Sequence, residues 1–177
     1  MKVLCILTNG FEELEAVGTI ALLRRANIQI DIYAMDDVQA CGRFNLMISQ
    51  LNNLNDVCID DYDALFLPGG PHYAKLEASE QVLSILDAFV QANKCVCAIC
   101  AAPTILGHRG YLKGKNYTCF TSMNEDFGGS YHDVYAIRDG NIITGRSAAA
   151  VIDFAFEIIA YLAGEEKANE VKKAIYY

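Results

Sequence analysis

The chain has 177 residues, 53% of them hydrophobic and 20% charged, which suits one domain over 1–177 with a sizeable core. Its net charge of −8, with no basic cluster beyond the pairs Arg24-Arg25 and Lys172-Lys173, argues against a stably held nucleic acid, though action on a free nucleotide stays open. No stretch approaches the roughly 20 apolar residues of a membrane span, and the N-terminal apolar run is also short for a signal peptide, so no membrane is expected and the cytoplasm is the expected compartment.

Val3 to Leu7 is a short apolar run bounded by Asn9-Gly10 and reads as a buried strand. Phe11 to Arg25 has helical spacing, with Leu14, Val17, Ala21 and Leu22 along one side. Ile28 to Met35 is a second strand. Residues 36–62 are mixed and polar, with short strand-like pieces around Arg43 to Ile48. Ala64 to Leu67 is a third strand and runs into Pro68-Gly69-Gly70. Gln81 to Ala92 is an amphipathic helix, Cys95 to Ile99 a fourth buried strand, and Ala101-Ala102-Pro103 opens another helix. Tyr117–Thr121, Val134–Arg138 and Asn141–Thr144 are further strand candidates. An apolar helix over Ala148–Leu162 and a charged one over Glu165–Ala174 complete the chain.

Strands that are apolar throughout, alternating with helices, predict an α/β fold with a mostly parallel sheet covered by helices on both faces. Such sheets place their sites beyond the C-terminal ends of the strands. That rule selects Thr8–Glu15, Pro68–His72, Cys100–Pro103 and Gly145–Ala149.

Seven cysteines are present, an odd number in a chain of this length, which fits reduced thiols better than a secreted disulfide framework. Cys100 is the sharpest feature. It sits where a buried strand stops and a helix is about to start, the arrangement of a nucleophile elbow. Free N–H groups at the helix start would favour its thiolate. The bland alternative is a buried cysteine in a packed turn. Cys97 and Cys100 formally match C-x-x-C, but with the second cysteine rather than the first at the helix start. Cys95 and Cys97 share a strand face and read as small buried hydrophobes. His72, His108 and His132 show no ligand spacing with the cysteines, so no metal is expected.

Gly69-Gly70 lets backbone N–H groups point into a cavity without side-chain obstruction, as an oxyanion needs, although Pro-Gly-Gly is also an ordinary turn. Glu12 and Glu13 read as first-turn surface acids. Glu15 differs, because Phe11, Gly18 and Leu22 share its side of the helix. Apolar neighbours favour a neutral carboxyl, which can donate a hydrogen bond to a thiolate.

The stretches Gly10–Val17, Leu67–Gly70, Ala98–Pro103 and Asp153–Val171, in this order, resemble the ThiJ/PfpI superfamily, in its branch like the Parkinson-disease protein (DJ-one). The resemblance covers essentially the whole chain. It implies a flavodoxin-like three-layer sandwich, a homodimer and no cofactor. It implies Cys100 as nucleophile, Glu15 as the acid on its sulfur, and Gly69, Gly70 and the N–H of Ala101 as an oxyanion pocket. The implied activities are conversion of methylglyoxal to lactate and repair of glycated amino groups or nucleotides, so the expected partner is a small reactive carbonyl or a glycated substrate. The alternative is a redox-sensing or chaperone-like dimer without turnover, its cysteine oxidised to the sulfinic acid.

Three departures matter. Protease members carry His directly after the cysteine; here Ala101 follows, and proteolysis is not expected. Some relatives place His after a mid-chain Gly-Gly; here Ser130 follows Gly128-Gly129, leaving His132 two residues on, to reach the site or to sit on the surface. Ser147-Ala148-Ala149 after Arg146 replaces a Gly-Pro-Gly, so that pocket wall is expected to differ. Arg25 and Arg43 match family arginines and read as structural.

Overall fold

A computed structural model describes residues 1–177. The elements are β1 (Lys2–Leu7), α1 (Glu13–Arg25), β2 (Gln29–Ala34), β3 (Gln39–Cys41), β4 (Met47–Ser49), β5 (Asn52–Asn53), β6 (Ala64–Leu67), α2 (Tyr73–Ala78), α3 (Glu80–Gln91), β7 (Cys95–Ile99), α4 (Pro103–His108), β8 (Asn116–Tyr117), β9 (Ser130–Tyr131), β10 (Ala136–Asp139), β11 (Ile142–Gly145), α5 (Val151–Ala163) and α6 (Glu165–Ala174). The main sheet runs β10-β11-β7-β6-β1-β2-β5. All its pairings are parallel except β10 with β11.

Alternation along β1 divides the core. Val3, Cys5 and Leu7 face one way, into a cluster with Ala16 and Leu23 of α1, Phe154 and Ile158 of α5 and Val171 of α6. Leu4 and Ile6 face the other way, onto Leu86 and Phe89 of α3 and Ile105 and Leu106 of α4. A strand of successive apolar residues is the expected consequence of burial on both faces. The architecture is thus the predicted mostly parallel sheet between two helical layers. No helix is long and apolar enough to cross a membrane.

Two expectations are corrected here. Leu14 and Val17 on α1 are exposed rather than core, and Ala21 is exposed with them. The helix instead buries Glu15, Ala16, Thr19, Ile20, Leu22 and Leu23. Apolar side chains stand on both sides of α1, so spacing alone could not say which side meets the sheet. The strand expected over Tyr117–Thr121 stops at Tyr117. A 3₁₀ turn occupies Thr121–Met123, and the N–H of Thr118 turns to Thr144 Oγ1 at 2.9 Å.

Candidate active site

At the C-terminal end of β7 the chain leaves the sheet through Cys100, whose φ is +64°. A non-glycine residue in this left-handed region costs on the order of 1–3 kcal/mol and persists only where its surroundings hold it. Here both sides hold it. The Cys100 N–H donates to the Gly145 carbonyl on β11 at 2.9 Å, and its carbonyl accepts from the Phe120 N–H at 2.7 Å. The Thr104 hydroxyl closes the turn on the Ala101 carbonyl at 2.7 Å. The result is the strand-to-helix elbow expected from the sequence, with a half-buried thiol off the line of the strand.

Glu15 reaches the same point from α1. Its neighbour Glu12 caps the helix, accepting from the Glu15 N–H at 2.8 Å while its own N–H donates to the Gly69 carbonyl at 2.9 Å. Glu15 is fully buried and accepts from the Gly69 N–H through Oε2 at 2.9 Å. Its Oε1 is buried without a hydrogen-bond partner, and the Cys100 thiol lies close enough to pull the carboxyl's pKa down. Burial pushes this carboxyl up to about 7, against the downward pull of the Cys100 thiol and the Gly69 N–H. The buried Glu12 is therefore a cap that braces the site. Glu13 is also no plain surface acid: its Oε1 accepts the N–H groups of Phe44, at 2.6 Å, and Leu46, at 3.4 Å, fixing the loop that carries Arg43.

The thiol's pKa is raised, the opposite of the lowering expected from a helix start. Burial pushes it up most, followed by the Glu15 carboxylate; the N–H groups of Ala101 and Gly70 pull it down. α4 has only six residues and begins beyond the elbow, so these individual amides matter more than a helix dipole. Cys100 and Glu15 are two acids facing each other in one buried pocket. With the proton on Glu15 and the charge on sulfur, the repulsion becomes a hydrogen bond to thiolate.

The glycine expectation divides in two. The Gly70 and Ala101 N–H groups pull the sulfur's pKa down, whereas the Gly69 N–H is taken by Glu15. Gly69 is required for closeness: a Cβ there would stand 2.5 Å from Glu15 Oε2 and 2.6 Å from Cys100 Cβ. Gly70 has φ +93°, and a Cβ there would stand 2.5 Å from the Glu12 nitrogen. Behind this turn, buried His72 accepts from the Thr8 N–H at 3.3 Å and donates from Nε2 to the Pro68 carbonyl at 2.8 Å. Burial lowers its pKa to about 4, so it is neutral and ties the ends of β1 and β6 together.

In front of the sulfur is a cavity of about 320 Å³ whose walls include Arg43, Pro71, Tyr73, Phe120 and Met123. Of these only Pro71 falls in a segment that the strand-end rule selects, Pro68–His72. Tyr73 follows the strand-end segment Pro68–His72 directly and Phe120 lies within the strand expected over Tyr117–Thr121, whereas the sequence marks Arg43 only as a structural family arginine. His132 is not brought to the site: it is exposed, its Nε2 pairs with Asn116 Oδ1 at 2.9 Å, and it does not line the cavity. The reason is local, since its N–H is tied to the Tyr117 carbonyl beside the β8–β9 pair. Cys95 and Cys97 have their sulfurs 3.5 Å apart inside the core, and all seven cysteines are free thiols. Cys97 thus neighbours Cys95 rather than forming a redox pair with Cys100.

The fold and the elbow define a class: α/β proteins with a cysteine at a strained strand end facing a buried carboxyl. Residues 1–161 match the model of the DJ-1/PfpI family, and the chain belongs to that family. It is 34% identical to protein dj-1beta of Drosophila melanogaster over 178 residues, covering 97% of this chain and 95% of the relative. The crystal structure of Drosophila DJ-1beta superposes with a TM-score of 0.92, at 32% identity over 99% of this chain and 97% of that one. A DJ-1 superfamily protein of Salmonella typhimurium, crystallised as a mutant, superposes with a TM-score of 0.88 at 32% identity, over 99% and 98% of the two chains. A Thermococcus kodakarensis protein named a deglycase is 27% identical over 149 residues, 82% of this chain and 90% of that one.

Proposed function

We propose that this protein is a cysteine-dependent enzyme of reactive carbonyls, with Cys100 as nucleophile and Glu15 as proton carrier. The observation that carries the reading is the fully buried Glu15 carboxyl set against the Cys100 thiol. The relative named a deglycase supports carbonyl-derived substrates within the family.

For an α-oxoaldehyde the steps balance without an electron acceptor. The Cys100 thiolate bonds to the aldehyde carbon, and the displaced carbonyl pair takes the Glu15 proton, giving a hemithioacetal. The Glu15 carboxylate then removes the hydrogen on that carbon as a proton. Returning the proton to the adjacent carbon yields the Cys100 thioester of a 2-hydroxy acid. One carbon is oxidised and its neighbour reduced. Water cleaves the thioester, releasing the acid and restoring the thiol. The Gly70 and Ala101 amides are the donors for oxyanions near the sulfur.

The test is lactate formation from methylglyoxal by wild type and Cys100→Ala. Turnover is expected in the wild type and only background in the variant. Turnover that survives the substitution would overturn the proposal. A second reading, a redox sensor without turnover, is favoured by the two amides at the sulfur, which would equally hold the oxygens of an oxidised thiol. It predicts stoichiometric peroxide oxidation at Cys100 and no lactate from either protein.

A further inference from the structure

We infer that the preferred substrates are α-oxoaldehydes bearing an aromatic substituent, and that Phe120 is the residue that sets this preference. The inference rests on the carbonyl chemistry proposed above and concerns the part of the substrate that chemistry leaves unspecified.

The cavity volume of about 320 Å³ lies at the low end of the range for drug-sized ligand pockets, and far exceeds the needs of a three-carbon aldehyde. Its walls are unevenly distributed. The polar groups sit near the sulfur, as the Gly70 and Ala101 amides, with Arg43 the one charged lining residue. The remainder is Pro71, Tyr73, Phe120 and Met123. No histidine lines the cavity. A dicarbonyl head therefore has donors to meet, and a nonpolar tail has rings and a thioether beyond it.

Phe120 is the best placed of these. Its N–H is bonded to the Cys100 carbonyl at 2.7 Å, so its position is fixed relative to the nucleophile. Phe120 is nevertheless 43% exposed, which leaves apolar ring surface open to a bound substrate. A substrate ring stacked there would remove apolar surface of both partners from water. Met123 follows one turn later, its N–H on the Phe120 carbonyl at 2.8 Å, and supplies a deformable thioether beside the ring. Phosphorylated tails fit poorly, because Arg43 is the one cation of the cavity in a chain of net charge −8.

The test compares kcat/KM for phenylglyoxal and methylglyoxal in wild type, Phe120→Ala and Phe120→Leu, from initial rates, with intact mass used to exclude arginine adducts. The wild type is expected to favour phenylglyoxal by about tenfold or more, since even one methylene in an apolar pocket discriminates by roughly 10- to 200-fold. Phe120→Ala is expected to bring the ratio close to one, and Phe120→Leu to leave an intermediate value. A wild-type ratio at or below one, with methylglyoxal still turned over, would overturn the inference and leave the proposed activity standing. An unchanged ratio in Phe120→Ala would remove Phe120 from the assignment. If wild type turns over neither aldehyde, the carbonyl reading itself fails and this inference fails with it.

Discussion

On one side of Cys100 lie Glu15, Gly69 and Leu67, all buried, and a turn in which the Glu12 N–H donates to the Gly69 carbonyl and His72 to the Pro68 carbonyl. On the other lie Arg43, Tyr73, Phe120 and Met123, partly or largely open to solvent. The sealed side decides protonation: its exclusion of water is what pushes Glu15 up to about 7. The open side has little influence on that proton and instead presents surface for a substrate. In the proposed reaction, chemistry and selectivity fall to different walls, and each can be perturbed while the other is left in place.

The largest structural disturbance should come from Gly69→Ala on the sealed side. The added methyl would lie 2.7 Å from the Ile99 carbonyl as well as against Glu15 and Cys100, where backbone and a packed elbow cannot yield easily. Overpacking of this kind costs about 1–3 kcal/mol, which for a chain of this size is a fall in Tm of about 5 °C. Calorimetry and the rate of Cys100 alkylation check it together. Wild-type values in both would mean that the sealed wall is looser than its contacts imply.

Glu15→Gln probes the same wall through pH. The folded carboxyl titrates near 7 against an ordinary 4.5, so the folded state holds this proton more tightly than the unfolded chain. Wild type therefore loses stability as pH rises from about 4.5 to about 7, by at most roughly 3 kcal/mol, and a neutral glutamine does not. Denaturant unfolding across that window should show Glu15→Gln gaining on wild type with rising pH. A constant difference would place the proton elsewhere. Turnover should fall by about 10²- to 10⁴-fold, the usual contribution of a positioned acid–base group.

The sealed wall was also the legible one. Its residues lie at strand ends and carry recognisable constraints: a cysteine before Ala-Ala-Pro, paired glycines after an apolar strand, a glutamate among apolar helix neighbours. The use of the Gly69 amide was not legible, since only the three-dimensional approach of α1 to β6 shows that Glu15 takes it. The open wall had no comparable pattern. Arg43 comes from a loop held by Glu13, and Phe120 from a segment whose strand-like composition gave way to a 3₁₀ turn. His132 shows the reverse error, a chemically attractive residue that an ordinary backbone pairing keeps on the surface.

The smallest effect belongs behind the open wall. His108 at the end of α4 pairs through Nδ1 with Glu77 of α2 and through Nε2 with Glu125, at 3.3 Å, in the loop following Met123. It thereby links the helix that begins with Tyr73 to the segment that carries Phe120. The Glu77 hydrogen bond, followed by that of Glu125, raises the His108 pKa above its ordinary 6.5. A raised pKa contributes stability that is complete below the unfolded value and is lost as pH rises through the folded one. The pair is largely solvent-exposed, so the contribution should not exceed about 1 kcal/mol. His108→Gln should lower Tm by no more than a few degrees near pH 6 and leave it unchanged near pH 9. An equal deficit at both pH values would show that His108 acts by packing against Phe127, whose ring lies 5.4 Å away, and not by charge. Because Glu15 is buried on the opposite wall, the pH dependence of its stability contribution should survive His108→Gln unchanged.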